Sequence, residues 1–152
     1  MVLGRLRADL ERGGRPARVW VLVVGWGALV TGLHFGGLAL GIYTRFFWWD
    51  LLTHAMGGAG VGGVLLHGLR DRTPTGTTPW WLVSAVAAVG AGFEVYEFVF
   101  KDFWYRWSFE FYAVDTAVDI VVNTAGVLVL VLAVVVSSRV RATRRPRDPD
   151  RL

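Results

Sequence analysis

The sequence contains no cysteine and a single lysine among its 152 residues. The missing cysteine excludes a disulfide framework, a thiolate metal site and a cysteine nucleophile. A serine nucleophile has little support, because Ser84 lies deep inside an apolar run and Ser108 lies in an aromatic segment. Any chemistry of this chain is therefore expected from carboxylate and imidazole groups.

The composition is unusually apolar. Hydrophobic residues make up 54% of the chain, 19 residues are glycine and the mean hydropathy is +0.46, which separates it from average soluble proteins. The net charge of +4 raises the question of nucleic acid. The arginines, however, flank apolar runs and do not line one polar helix, so we expect the lipid bilayer as partner and no nucleic acid.

Four apolar runs divide the chain. Each is close to the roughly 20 residues that cross a bilayer, and none shows the alternation of a barrel strand. The first is too long for a signal peptide, so we predict that it is retained. The sequence therefore predicts an all-α polytopic membrane protein of about four transmembrane helices. The runs cover residues 19–43, 46–69, 80–100 and 113–137.

The distribution of arginine predicts the orientation. In a four-helix arrangement, thirteen of the 16 Lys and Arg residues lie on one side, and only Arg45, Lys101 and Arg106 lie on the other. The positive-inside rule then places both termini in the cytoplasm of a multi-pass plasma-membrane protein. We divide the chain into a cytoplasmic basic N-terminus, a transmembrane domain and a basic, disordered cytoplasmic tail. These cover residues 1–18, 19–137 and 138–152.

Between the third and fourth runs, the segment Phe100–Tyr112 is rich in aromatic residues. Its aromatic residues recur at the spacing of one helical face, which predicts an interfacial helix on the outer surface that serves as an anchor or as a lid. They are Phe100, Phe103, Trp104, Trp107 and Phe111.

Glycine is concentrated in the first two predicted helices. Small residues four positions apart, such as Gly58 and Gly62, allow helix backbones to approach closely in lipid. The glycine-rich helix faces therefore predict tight packing and offer a surface for a homo-oligomer.

Charged residues inside membrane helices cost about 2.5 to 3.5 kcal/mol each on insertion scales, so each needs a reason. Here they recur at spacings of three or four, which places each set on one face of its helix. With alternating helix directions, all three sets fall in the outer half of the bilayer, and the inner halves are apolar. We infer one outward-facing polar site. The sets are Asp50 with His54, Glu94 with Glu97, and Asp115 with Asp119 and Asn123.

Five carboxylates in low dielectric need compensation by protonation, by pairing with cationic side chains, or by bound cations. Carboxylate oxygens with one imidazole suit divalent ions such as Mg²⁺, Mn²⁺, Ca²⁺ or Zn²⁺. Glu97 and Asn123 are expected as supporting partners, and His34 is placed to line the site. The candidate metal ligands are Asp50, His54, Glu94, Asp115 and Asp119.

These residues carry a family resemblance from about Phe46 to Leu130. The stretch resembles the YjdF-like inner-membrane family and, more distantly, the VanZ-like family linked to glycopeptide resistance. It implies a helical membrane fold with this polar site and assigns no activity. Glu97 departs from the VanZ-like pattern, in which glutamine commonly takes this position. The matching motifs are Trp49 to His54 with Gly57 and Gly58, Glu94 to Glu97, and Asp115 to Gly126.

Three hypotheses for the function stay open. The leading one is an outer-leaflet site for a divalent cation and a lipid-like or headgroup ligand. In its enzymatic form, metal-activated water and the catalytic residues Glu94 and His54, with Glu94 as general base, would act on lipid-linked substrates. A proton- or cation-coupled transporter is the second, although the inner halves offer no polar path and no inverted repeat is detectable. The third is a structural or partner-binding protein whose buried polar network sets helix register.

Overall fold

The computed structural model describes residues 2–72, 80–100 and 107–143. Over these ranges the chain is helical and contains no strand. Six α-helices and one 3₁₀ turn, Arg70–Arg72, follow one another. The helices are α1 (Val2–Arg12), α2 (Gly14–Ala39), α3 (Ile42–Arg45), α4 (Trp48–Gly68), α5 (Trp81–Phe100) and α6 (Phe109–Thr143).

Three helices are long and apolar enough to cross a membrane, namely α2, α5 and the segment Phe109–Val140 of α6. The all-α membrane fold is therefore confirmed. The second predicted span forms α4, whose 21 residues extend about 31 Å at 1.5 Å per residue. The hydropathy of α4 is lowered by Asp50, His54 and its glycines, so α4 is not among the three helices that are apolar enough to cross a membrane. Its crossing of the bilayer stays a prediction.

Helix α4 lies at the centre of the bundle and packs against α2, α5 and α6. Its closest approach is to α6: a Cβ atom on Gly58 would overlap the carbonyl oxygen of Asn123, and one on Gly126 would overlap that of Ala55. Gly62 likewise faces Val127. The predicted close approach at Gly58 and Gly62 thus joins two helices of one chain.

Glycines of α2 have a different environment. Added Cβ atoms at Gly32 and Gly36 would meet no atom within 4 Å. The homo-oligomer expected from glycine-rich faces therefore stays a prediction that concerns α2 rather than α4.

The N-terminal helix α1 folds against α2 and α4 around Asp9. Although it is charged, Asp9 is only 1% exposed. Trp20 Nε1 donates a hydrogen bond to Asp9 Oδ2 at 2.9 Å, and two guanidinium nitrogens of Arg70 donate to its two oxygens at 2.8 Å each. The hydrogen bonds from Arg70 hold the pKa of Asp9 well below its usual range. This carboxylate ties α1 and α2 to the turn that follows α4.

We expect Asp9→Asn to loosen α1, because the amide cannot form the paired interaction with Arg70. Trypsin should then cleave the arginine-rich N-terminus several-fold faster, and the melting temperature should fall. The folded pKa of Asp9 lies below the unfolded value of about 3.9. Its stabilisation is therefore complete above that value and is lost as the pH falls through the folded pKa.

Glu11→Gln is the matched control, since Glu11 is exposed and pairs with the exposed Arg7. Proteolysis that is equally fast in both variants would contradict the role given to Asp9.

Two predicted segments lie partly outside the described residues. The aromatic interfacial helix falls largely on residues 101–106, which are outside them. On either side, Phe100 ends α5 and Phe109 begins α6, and the rings of Trp107 and Phe111 pack edge to face at 4.8 Å. The predicted tail begins as helix, since α6 continues to Thr143, and residues 144–152 lie outside the description.

Candidate functional site

Two helices bring their polar faces together at the centre of the bundle. Asp50 and His54 lie one turn apart on α4, and Asp119 lies opposite them on α6. His54 Nε2 is 3.5 Å from Asp50 Oδ1 and 3.6 Å from Asp119 Oδ2. One ligand atom from each of the three residues lies within 4.8 Å of the others. We call Asp50, His54 and Asp119 the polar triad.

The second nitrogen of the imidazole is also engaged. Asn123, one turn after Asp119 on α6, places its Nδ2 3.1 Å from His54 Nδ1. An amide N–H that donates to Nδ1 leaves the ring proton on Nε2, where it faces the two carboxylates. With the amide reversed, Asn123 would accept from Nδ1–H and free the lone pair of Nε2. The orientation of the Asn123 amide and the tautomer of His54 are therefore linked.

Burial is deepest at Asp119, whose side chain is 3% exposed, against 9% for His54 and 35% for Asp50. Among the described residues, Asp119 Oδ1 is buried and accepts no hydrogen bond. Buried polar atoms are rarely left in this state, because desolvation without a partner costs about 1 to 3 kcal/mol. Such an atom needs compensation by a proton, a water molecule or a bound cation.

Glu94 forms a neighbouring polar position on α5 and is 3% exposed. Its Oε2 accepts a hydrogen bond from Thr116 at 3.3 Å, and its backbone oxygen accepts one from Tyr112 at 2.8 Å. Its Oε1 is buried and has no hydrogen-bond partner within the described ranges. Glu94 thus offers a second unsatisfied carboxylate oxygen.

The seven predicted site residues do not all meet. The structure brings Asp50, His54 and Asp119 within reach of one ion and places Asn123 against the imidazole. Glu94 and Asp115, also predicted as ligands, lie outside that group of three. Asp115 is half-buried on α6, and the supporting residue Glu97 is buried on α5.

A chain of hydrogen bonds beside the triad was not predicted. His34 Nδ1 lies 2.7 Å from the hydroxyl of Tyr43, which lies 3.3 Å from Thr53 Oγ1 on α4. The hydroxyl of Thr53 also donates to the backbone oxygen of Asp50 at 2.9 Å. These residues come from three helices, and no spacing along the sequence relates them.

An apolar cavity of about 590 Å³ adjoins His54 and Asn123. It lies between α2, α4 and α5 and has Phe93 in its wall. His34, which the sequence placed near the site, lines it together with Thr53. Through His54, the polar triad therefore borders a volume the size of a small-molecule site.

The helices that can span a membrane and the partly buried polar triad define the class: an integral membrane protein with a polar cluster among its helices. The chain belongs to the family described as Predicted membrane protein (DUF2238), which matches residues 15–140. No curated protein and no solved structure matches the chain.

Proposed function

We propose that this protein binds a divalent cation at the polar triad, and that the bound cation holds the polar headgroup of a lipid-like ligand. The observation that carries the proposal is the buried Oδ1 of Asp119, which has no hydrogen-bond partner among the described residues, on a side chain that is grouped with Asp50 and His54. A cation supplies the charge and the coordination that this group lacks.

The spacing of the triad suits a metal. Ligand atoms at 2.0 to 2.1 Å from a tetrahedral Zn²⁺ stand about 3.3 Å apart, and those around an octahedral ion stand about 3.0 Å apart. The nitrogen–oxygen separations are 3.5 and 3.6 Å, close to these values, and all three ligand atoms lie within 4.8 Å of one another, so the two carboxylates would move toward each other when an ion binds. Three protein ligands leave at least one position open for water or for a ligand.

Asn123, which contacts His54 and is not itself a proposed ligand, also supports metal binding. Metal-bound histidines usually give the proton of their other nitrogen to an acceptor, which fixes the orientation of the ring. The side chain of Asn123 stands at that nitrogen and can accept through its amide oxygen. Metal binding would therefore be coupled to the orientation of one amide group.

The predicted orientation determines on which side of the membrane the proposed site lies. With the termini in the cytoplasm of a plasma-membrane protein, the triad lies in the outer half of the bilayer.

In an enzymatic form of this proposal, Glu94 would act as the general base toward water at the metal, because its Oε1 has no hydrogen-bond partner among the described residues.

The resemblances to the YjdF-like and VanZ-like families also support this proposal. Their motifs fall on α4, α5 and α6, the three helices that carry the polar groups of the site. The additional charge of Glu97 relative to the VanZ-like pattern favours a cation here.

Calorimetric titration of chelator-stripped protein with Mn²⁺ and Zn²⁺ tests the proposal. We expect one ion per chain in the wild type and a loss of affinity of about 10- to 100-fold or more in Asp119→Asn. Asp115→Asn is the matched control and should retain most of the affinity, because Asp115 lies outside the triad. Equal affinity in the wild type and Asp119→Asn would overturn the proposal.

A further inference from the structure

The cavity beside the triad lies in a gap between two helices. Both α2 and α5 pack on α4, and over the described ranges they do not pack on each other. Side chains bridge the gap at one level, where the ring of Phe93 stands 6.4 Å from that of His34 and 6.2 Å from that of His54. Two lining residues on the facing helices are exposed, Phe35 of α2 at 63% and Val89 of α5 at 49%, so the cavity opens to the surroundings of the bundle between these helices.

The lining changes character along the helix axes. Near Phe93 it carries His34, Thr53 and His54. About one turn further along the helices, toward the N-terminus of α5, the lining includes Val30, Thr31 and Val89. Two turns from that level it is formed by the aliphatic side chains of Val61 and Val86.

The cavity extends through much of one leaflet. Its lining on α5 runs from Val86 to Tyr96, about 15 Å along a helix, and the part from Phe93, level with His54, to Val86 is about 10 Å long. The hydrocarbon core of a bilayer is about 30 Å thick, so each leaflet contributes about half of that. An apolar space of this kind is not a stable place for water, which needs polar partners.

We propose that the cavity holds one hydrocarbon chain of an outer-leaflet lipid, which enters from the bilayer between α2 and α5. The headgroup lies at the polar triad, and the chain points toward Val86. The polar end of the cavity and the polar end of such a lipid then lie at the same depth. The position of the headgroup rests on the proposed cation site. The position of the hydrocarbon chain rests on the gap between α2 and α5 and on the residues that line the cavity.

Photolabelling in nanodiscs tests this proposal. The probe is a phosphatidylglycerol with a diazirine midway along one acyl chain, and the labelled residues are identified by mass spectrometry. In the wild type, we expect labelling concentrated on cavity-lining segments of α2 and α5. Labelling spread evenly over these segments and the exposed face of α6 around Val121 and Val129 would overturn the proposal without any variant.

Cavity-filling variants sharpen the test. Val30→Trp and Val89→Trp place an indole in the lining and should reduce cavity labelling about tenfold, equivalent to ~1.4 kcal/mol of binding. Val24→Trp and Val95→Trp make the same change at exposed positions of the same helices outside the lining. Equal labelling in the two pairs would contradict the chain site.

Metal content, measured in the same samples, separates this proposal from the cation site. Val30→Trp and Val89→Trp should lose the label and keep the ion, whereas Asp119→Asn should lose the ion and keep chain labelling. Concentrated labelling in a wild type that binds no ion would support the chain site and overturn the cation site. A bound ion with evenly spread labelling would support the cation site and overturn the chain site.

Discussion

Gly58→Ala is expected to prevent α4 and α6 from packing as they do in the structure. The added methyl would overlap the backbone of Asn123, and the nearest atoms are carbonyl and Cα atoms that cannot rotate away. Overpacking against movable side chains costs about 1 to 3 kcal/mol, and a backbone obstacle should cost at least the upper end of that range. The polar triad should be lost with the packing, because Asp50 and His54 face Asp119 across this contact.

Gly32→Ala provides the matched control. It adds the same methyl to a helix, but no atom lies within 4 Å of the new position, and alanine has the higher helix propensity. Thermal unfolding in detergent should show a much lower melting temperature and poor recovery for Gly58→Ala, with a near-wild-type transition for Gly32→Ala. Equal transitions would mean that α4 and α6 are further apart than described.

Asp119→Asn is expected to stabilise the metal-free protein while it removes the response to metal. A carboxylate whose buried Oδ1 has no hydrogen-bond partner among the described residues is costly, and it lies near a second carboxylate, Asp50. A neutral amide of the same shape removes the buried charge and its repulsion with Asp50, a relief of about 1 to 3 kcal/mol. Binding sites commonly show this opposition between stability and function.

The measurement is thermal unfolding in chelator and then with added Mn²⁺ or Zn²⁺. In chelator, we expect Asp119→Asn to melt about 2 to 12 °C above the wild type. Added metal should raise the melting temperature of the wild type, as binding to the folded state requires, and leave the variant unchanged. A variant that melts below the wild type in chelator would favour a structural network that fixes helix register.

The membrane helices were predictable because lipid leaves the backbone few choices. Apolar runs of about 20 residues must form helices, and α2, α5 and α6 follow from that rule. Helix α1 does not, since its 11 residues contain no apolar run of spanning length. It is held by the contact between Asp9 and Arg70, which are far apart in the sequence.

The sequence predicted which polar residues share a helix face, but not which of these faces meet in the folded bundle. Spacings of three and four placed Asp50 with His54, and Asp119 with Asn123, on common helix faces. Which faces meet depends on the rotation of each helix, and that rotation is set by the close contact at Gly58 and Gly126. The sequence therefore could not separate the triad from Glu94 and Asp115, which lie outside it.

The cavity was beyond prediction from local patterns. It exists because α2 and α5 share a neighbour, α4, without packing on each other. No periodicity in either helix records a space between them. His34, His54 and Asn123 line the cavity and carry a signal as polar residues inside apolar runs, but that signal indicates a polar site and not a cavity.

Metal content per chain tests the central claim most directly. Elemental analysis would compare the wild type, purified in detergent without chelator, with an Asp115→Asn, Asp119→Asn double variant and with Asp115→Asn alone. We predict one divalent ion per chain in the wild type and in Asp115→Asn, and none in the double variant. A wild type without a stoichiometric ion, whose metal-free form also fails to bind added divalent ions, would contradict the account.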